Sequence, residues 1–140
     1  MSPETMRRSL MTHLFSNWTK GEPPALKTPI KWYNHNFTIP ADTIWIEPVT
    51  RFGPITQGEK GDSGLALRSG ELVVHVHIPL GMGGDDGHAM AGELESLFSR
   101  RSLSDVECDD AYTRESRDSD SREGFSSLEV VVPFHGWTAA

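Results

Sequence analysis

The sequence predicts an α+β protein, with a mostly antiparallel four-stranded sheet and two helices packed on one face. Three observations carry that prediction. Leu72, Val74, Val76 and Ile78 alternate along one stretch, and Leu128, Val130, Val132 and Phe134 alternate along another, which is the period of a strand with one face on a core. Met6, Leu10 and Leu14 recur every four residues, and Ala89, Met90, Leu94, Leu97 and Phe98 form a second stripe at helical spacing. The order is then helix, strand, strand, helix, strand, strand. A sheet with both helices on one side buries every apolar stripe in that order.

Each element is punctuated. Ser2-Pro3-Glu4 reads as N-cap, first helical position and first-turn acid, so a helix is expected over about residues 3–17, with Met11 and Phe15 beside its stripe. Gly21 and Pro23-Pro24 end it and open a linker. Ile30 to Tyr33 is a short apolar run, Asn34 to Asn36 a polar turn, and Phe37 and Ile39 lead to Pro40. Thr43-Ile44-Trp45-Ile46-Glu47-Pro48-Val49 is β-branched and aromatic, a good strand. Pro48 cannot donate to a ladder, which places the end of this strand at a sheet edge or bulge.

Residues 51–68 hold Gly53, Pro54, Gly58, Gly61 and Gly64 among polar residues, and read as a long hairpin loop. The strand at 70–78 follows and stops at Pro79. Gly81, Gly83 and Gly84 make a turn, and Asp85 or Asp86 can accept a free N–H at the start of a helix over about 86–99. Val106 and Cys108 mark a short strand at 105–108, paired with the last strand at 125–134. Residues 109–123 between them are almost without apolar side chains. Such a run cannot offset its ordering entropy by burial and reads as an exposed loop.

The bulk properties bound the function. A chain of 140 residues with no internal repeat suits one domain. The balance of 13 basic against 20 acidic residues, net −7, gives no attraction to nucleic acid or anionic lipid. The one cysteine allows no internal disulfide. No apolar run is long enough to span a bilayer. Arg7 and Arg8 near the start are followed by no long apolar stretch with a small-residue cleavage site, so no secretory signal is expected.

Catalytic and metal chemistry find little footing. Pro79-Leu-Gly-Met-Gly-Gly-Asp-Asp lacks the Lys-Ser/Thr of a P-loop, and its two aspartates would repel a phosphate. His75 and His77 share a strand face, with Asp85 and His88 beyond the turn. Zinc needs three or four converging ligands, and strand histidines beside a polar face read first as surface residues. Cys108 stands between Glu107 and Asp109, which disfavours a thiolate, so it reads as a core cysteine. Gly61-Asp62-Ser63-Gly64 repeats a serine-protease fragment without a histidine and aspartate framework. Arg100, Arg101, Arg114, Arg117 and Arg122 are interleaved with acids, as on a solvated or partner-facing surface. Trp32, Trp45 and Trp137 suit core packing, or an interface anchor if exposed at an edge.

Several segments together resemble a family. Lys31-Trp32-Tyr33-Asn34-His35-Asn36-Phe37, then Pro40, then Thr43-Ile44-Trp45-Ile46, resemble the opening of the small tail terminator (tail completion) proteins of long-tailed, non-contractile bacteriophages. The Gly70–Val76 strand, the Pro79-Leu-Gly-Met-Gly turn, the following helix and the closing Leu128-Glu-Val-Val-Val-Pro-Phe134 strand match in the same order. The resemblance implies a small α/β sandwich that is a virion structural protein and not an enzyme, with no cofactor. It implies a homohexameric ring at the head-proximal end of the tail, made in the bacterial host cytoplasm. That ring would stop polymerisation of the tail tube protein and join a head-completion or neck protein. DNA would pass through the lumen without specific binding. A neck connector of the same virion is the alternative role, and a small metal- or ligand-binding enzyme using His75, His77 and the aspartates after the glycine turn, Asp85 and Asp86, a further one. A closed ring needs heterologous interfaces, and loops that order on docking can supply them. The candidate interface residues are therefore Arg51, Phe52, Glu59, Lys60, Asp62 and Arg68 in the first loop, and Tyr112, Arg114, Arg117 and Arg122 in the second.

Overall fold

The structure is a computed structural model that describes residues 3–18, 29–32, 37–40, 43–58, 65–81, 85–103, 106–116 and 124–139. Its elements are α1 (Pro3–Trp18), β1 (Trp45–Gly58), β2 (Leu65–Pro79), α2 (Asp85–Phe98), β3 (Glu107–Cys108), β4 (Tyr112–Glu115) and β5 (Phe125–Ala139). The class is α+β, with an antiparallel sheet in the order β1-β2-β5-β3 and β4 also paired to β5. There are five strands where the sequence suggested four, because the last rank is shared. Glu107 and Cys108 lie opposite His135 and Phe134, and Tyr112 to Glu115 lie opposite Val131 to Leu128. The break falls at Pro133. Its carbonyl accepts from the Asp109 N–H at 2.8 Å, so its nitrogen, which has no hydrogen to give, faces the same neighbour.

The sheet face that carries even-numbered residues of β1, β2 and β5 packs on both helices. Met6, Leu10, Leu14 and Trp18 of α1, and Met90, Ala91, Leu94 and Phe98 of α2, meet Ile46, Leu72, Val74, Val76, Val130, Val132 and Phe134 in one cluster. Cys108 joins it, as its alternation with Val106 suggested. The helices are tied to each other as well. His13 Nε2–H donates to the Leu97 carbonyl at 2.8 Å, and the His13 ring meets Phe98 edge-on at 5.2 Å. Gly87 lets α2 lie on the end of β2, since a Cβ there would overlap the Ile78 side chain. Asp85 and Asp86 occupy the first turn of α2, where their charge favours the positive end of the helix.

Two expectations about loops are corrected. Residues 51–58 and 65–69 are strand, so the hairpin connection within 51–68 shortens to residues 59–64. Gly53 and Pro54 are absorbed by irregular pairing, and Gly58 pairs with Ala66. The register shifts between Phe52 and Ile55, opposite Gly70 and Arg68, and again between Ile55 and Gln57. Such bulges add a residue on one strand and bend it without ending the ladder. Residues 112–115 of the charged 109–123 run are likewise strand, because β5 offers them a free edge. Pro48 does sit on an edge strand, β1 being terminal in the sheet. There the short segment around Ile30 adds a parallel bridge, with Lys31 N–H donating to the Ile46 carbonyl at 2.8 Å and Ile46 N–H to the Pro29 carbonyl at 3.0 Å.

Candidate functional site

The helix-free face of the sheet holds the polar chemistry. Odd-numbered residues of β1, β2 and β5 line it with even-numbered residues of β4, in rows set by the register: Trp45, His77 and Ser127; Glu47 beside His75, with Glu129 and Arg114; Val49, Val73, Val131 and Tyr112; Arg51, Glu71 and Pro133. Alternation predicts which residues share this face. It does not predict that the face is closed. His75, His77, Ser127 and Glu129 are buried here, along with Trp45, Val73 and Val131. The reading of His75 and His77 as surface residues is thereby corrected.

A chain of hydrogen bonds explains how His77 tolerates burial at 1 % exposure. Its Nε2 lies 3.1 Å from Glu47 Oε1, and its Nδ1 lies 2.8 Å from Ser127 Oγ. A carboxylate only accepts. The ring therefore donates from Nε2 to Glu47, and Nδ1 accepts the Ser127 hydroxyl proton. Glu47 is completed by Lys31 Nζ at 3.4 Å. Trp45 stacks on the His77 ring at 4.1 Å, while Phe37 and Phe125 pack on Trp45 at 5.3 and 5.9 Å. The serine, histidine and glutamate are connected as in a hydrolase, but the indole lies over the imidazole and Ser127 is itself buried. The arrangement satisfies buried polar groups and fixes register.

The next row carries an ion pair. Arg114 Nε–H donates to Glu129 Oε2 at 2.9 Å, and the terminal NH2 nitrogen lies 2.9 Å from the same oxygen. The Glu129 side chain is 4 % exposed and that of Arg114 45 %. That hydrogen bond, ahead of a desolvation effect that opposes it, holds the Arg114 pKa above its ordinary value. Among the described residues, no three His, Cys, Asp or Glu side chains converge as a metal site requires. Cys108 is pushed up to about 11, by burial first and then by the charges of Asp109 and Glu107, which keeps it a thiol at neutral pH.

The candidate interface residues separate. Arg51 is exposed and Phe52 half-buried, and both line a concavity of about 640 Å³ on the distal half of the hairpin, with Gly53, Leu67, Glu71 and His135. Tyr112 is 44 % exposed and stands with Arg114 on the helix-free face, so neither belongs to a loop. Arg68 pairs in register with Ile55 and Gly136, on the side of the sheet that bears the helices. Glu59, Lys60, Asp62, Arg117 and Arg122 lie outside the described residues. The sequence reading singled out neither Glu47, Ser127 nor Glu129, whose signal was their odd-numbered place opposite His77, His75 and Arg114. Leu80 at 69 % and Trp137 at 50 % are exposed large apolar residues at opposite ends of the sheet.

No family model matches the chain, and no curated protein does. A solved structure known only by a sequence identifier is similar at a TM-score of 0.70 and 21% identity, over 97% of this chain and 96% of that one. At that identity the likeness shows a shared fold. No helix among the described residues is long and apolar enough to cross a membrane.

Proposed function

We propose that the chain is a virion structural protein, a ring-forming terminator that caps the head-proximal end of a phage tail tube. It stops tube polymerisation and offers its other face to a head-completion protein. The observation that carries this reading is the ordered set of segments resembling the tail terminator family. Three of those segments coincide with the framework elements of the fold. Thr43–Ile46 leads into β1, Gly70–Val76 is the core of β2, and Leu128–Phe134 is the core of β5. The buried polar row fits a structural role too, since the hydrogen bonds from Ser127 and to Glu47 satisfy a buried histidine ring that Trp45 stacks on. The partners are further copies of the chain, the tube protein and a neck protein, and an acidic protein lets DNA pass with little adhesion.

Native mass spectrometry of the full chain, alone and with purified tail tubes, tests the reading when combined with electron microscopy of the mixture. Hexamers, or a cap at one end of each tube, are the expected result. Density on the capsid side of the neck instead would reassign the chain to a connector. A monomer that ignores tubes would remove the terminator reading.

A further inference from the structure

The sheet ends in two edges, and each is open over a few residues. At one edge the rank is shared by β3 and β4. Outside β3 lies the segment 101–103, with Cys108 N–H donating to the Arg101 carbonyl and Leu103 N–H to the Val106 carbonyl, both at 2.8 Å. Outside β4 lies no described strand. Ser116 N–H donates to the Ser127 carbonyl at 3.2 Å. By alternation, Arg114 and Tyr112 also turn their backbone groups towards β5, and Thr113 and Glu115 turn theirs away.

At the other edge, the Ile46 N–H and carbonyl bond the segment around Ile30. Pro48 and Thr50, two and four positions on, therefore face outward as well, and no described strand covers them. Beside them lies a groove of about 530 Å³ between β1 and α1, lined by Glu4, Arg7, Met11, Pro48, Val49 and Thr50. A further strand, about 4.8 Å from β1, would occupy that groove.

We propose that β4 of one protomer pairs antiparallel with this edge of the next, Glu115 opposite Pro48 and Thr113 opposite Thr50. The strands alternate in direction from β1 through β2 and β5 to β4, so β4 meets the β1 of an identically oriented neighbour antiparallel. Thr113 and Glu115 share a face with Val130 and Leu128, and Pro48 and Thr50 with Val74 and Leu72. All four apolar residues belong to the helix-side core, so the join keeps helix side with helix side.

Side chains match in that register. Glu115, exposed and in no ion pair with a described residue, comes to the side where Arg7 lines the groove, while Glu4 at the same rim already lies 3.8 Å from Arg8. On the other face Tyr112, 44 % exposed, comes beside the exposed Arg51, an aromatic ring against a guanidinium. The offset is set by the Ile30 segment. Within one sheet Glu115 is level with Ile46, whose backbone is taken, so the neighbour sits two residues further along β1. Such a stagger tilts strands, as closing a sheet on itself requires. Pairing β4 with β4, or β1 with β1, would leave the other edge bare. The head-to-tail join covers both and is heterologous, as a ring requires. The inference rests on the terminator reading and names the contact that closes its ring.

The test is disulfide trapping between full-length chains, read on non-reducing gels. The paired Cα atoms would lie about 5.5 Å apart, within disulfide reach, and Cys108 is buried. Thr50→Cys and Thr113→Cys should each remain uncross-linked alone. Mixed in equal amounts they should give covalent dimers, and the double variant a ladder up to closed rings. Thr113→Pro removes an outward N–H and no bond to β5. It should keep the wild-type thermal transition to within a few degrees and weaken assembly roughly tenfold in native mass spectrometry over a dilution series, as loss of one hydrogen bond does. Dimers from either cysteine variant alone, a mixture without cross-links, or Thr113→Pro rings as stable as wild type would overturn the inference, and tubes still capped by wild type would leave the terminator reading standing. A wild-type chain that stays monomeric, with or without tubes, would overturn both.

Discussion

The two faces of the sheet solve the same problem with different chemistry. On the helix side, Leu72, Val74, Val76, Val130 and Val132 meet two amphipathic helices in one apolar cluster. On the other side, burial is reached with His75, His77, Ser127 and Glu129 beside Trp45, Val73 and Val131. No described helix covers them. Long side chains lie across the strands instead: Trp45 on His77, Arg114 on Glu129, Lys31 on Glu47. An apolar face is stabilised by area and tolerates similar shapes. A face closed by hydrogen bonds depends on each partner being present.

The largest expected effect breaks the helix-side face. Val74→Asp places an unpaired charge among apolar side chains, and should cost more than about 4 kcal/mol. Chemical denaturation should find the variant unfolded or nearly so. A native-like transition midpoint would refute the assignment of this face. Val130→Asp should behave alike.

Next comes the ion pair on the opposite face. Arg114→Ala leaves the Glu129 carboxylate without its cation at 4 % exposure. The expected loss is about 2 kcal/mol, below that of a fully buried pair because the guanidinium is partly in water. Replacing both residues by leucine should recover much of that loss in urea titrations. If the double variant is as unstable as the single one, the pair is not what closes the row.

A smaller effect is expected at Ser127. Its replacement by alanine removes the proton donated to His77 Nδ1, leaving a closed-off acceptor at a cost of about 1 kcal/mol. Ser127→Cys should restore part of it. A change within error for Ser127→Ala would mean that another donor reaches the ring.

The smallest effect sharpens the apolar side through Cys108. Its thiol keeps its proton to about pH 11, against an ordinary 9.0. A raised native pKa means that the native state holds the proton after the unfolded state has lost it. Stability from this group is therefore whole below pH 9 and declines as the pH rises towards 11. Iodoacetamide should label Cys108 slowly at about pH 8 until denaturant is added, whereas fast labelling of the native chain would place the thiol outside the core.

The sequence made these two faces unequally legible. Met6, Leu10 and Leu14 marked α1, and the Leu72–Ile78 alternation marked the helix side, because one-sided burial writes a period into the residues. The Gly53-Pro54 and Tyr112–Glu115 segments read as loops, since glycine, proline and charge are loop signals in isolation. Pairing partners decided otherwise, through bulges in β1 and a free edge on β5. His75 and His77 read as surface residues because alternation says which side a residue faces and nothing about what covers that side.

The central claim, that the chain ends a polymer, is tested most directly by electron microscopy of tube protein polymerised with and without it. The account predicts tubes that stop growing and carry a six-fold ring at one end. Tubes that elongate alike in both samples, with bare ends, would contradict it.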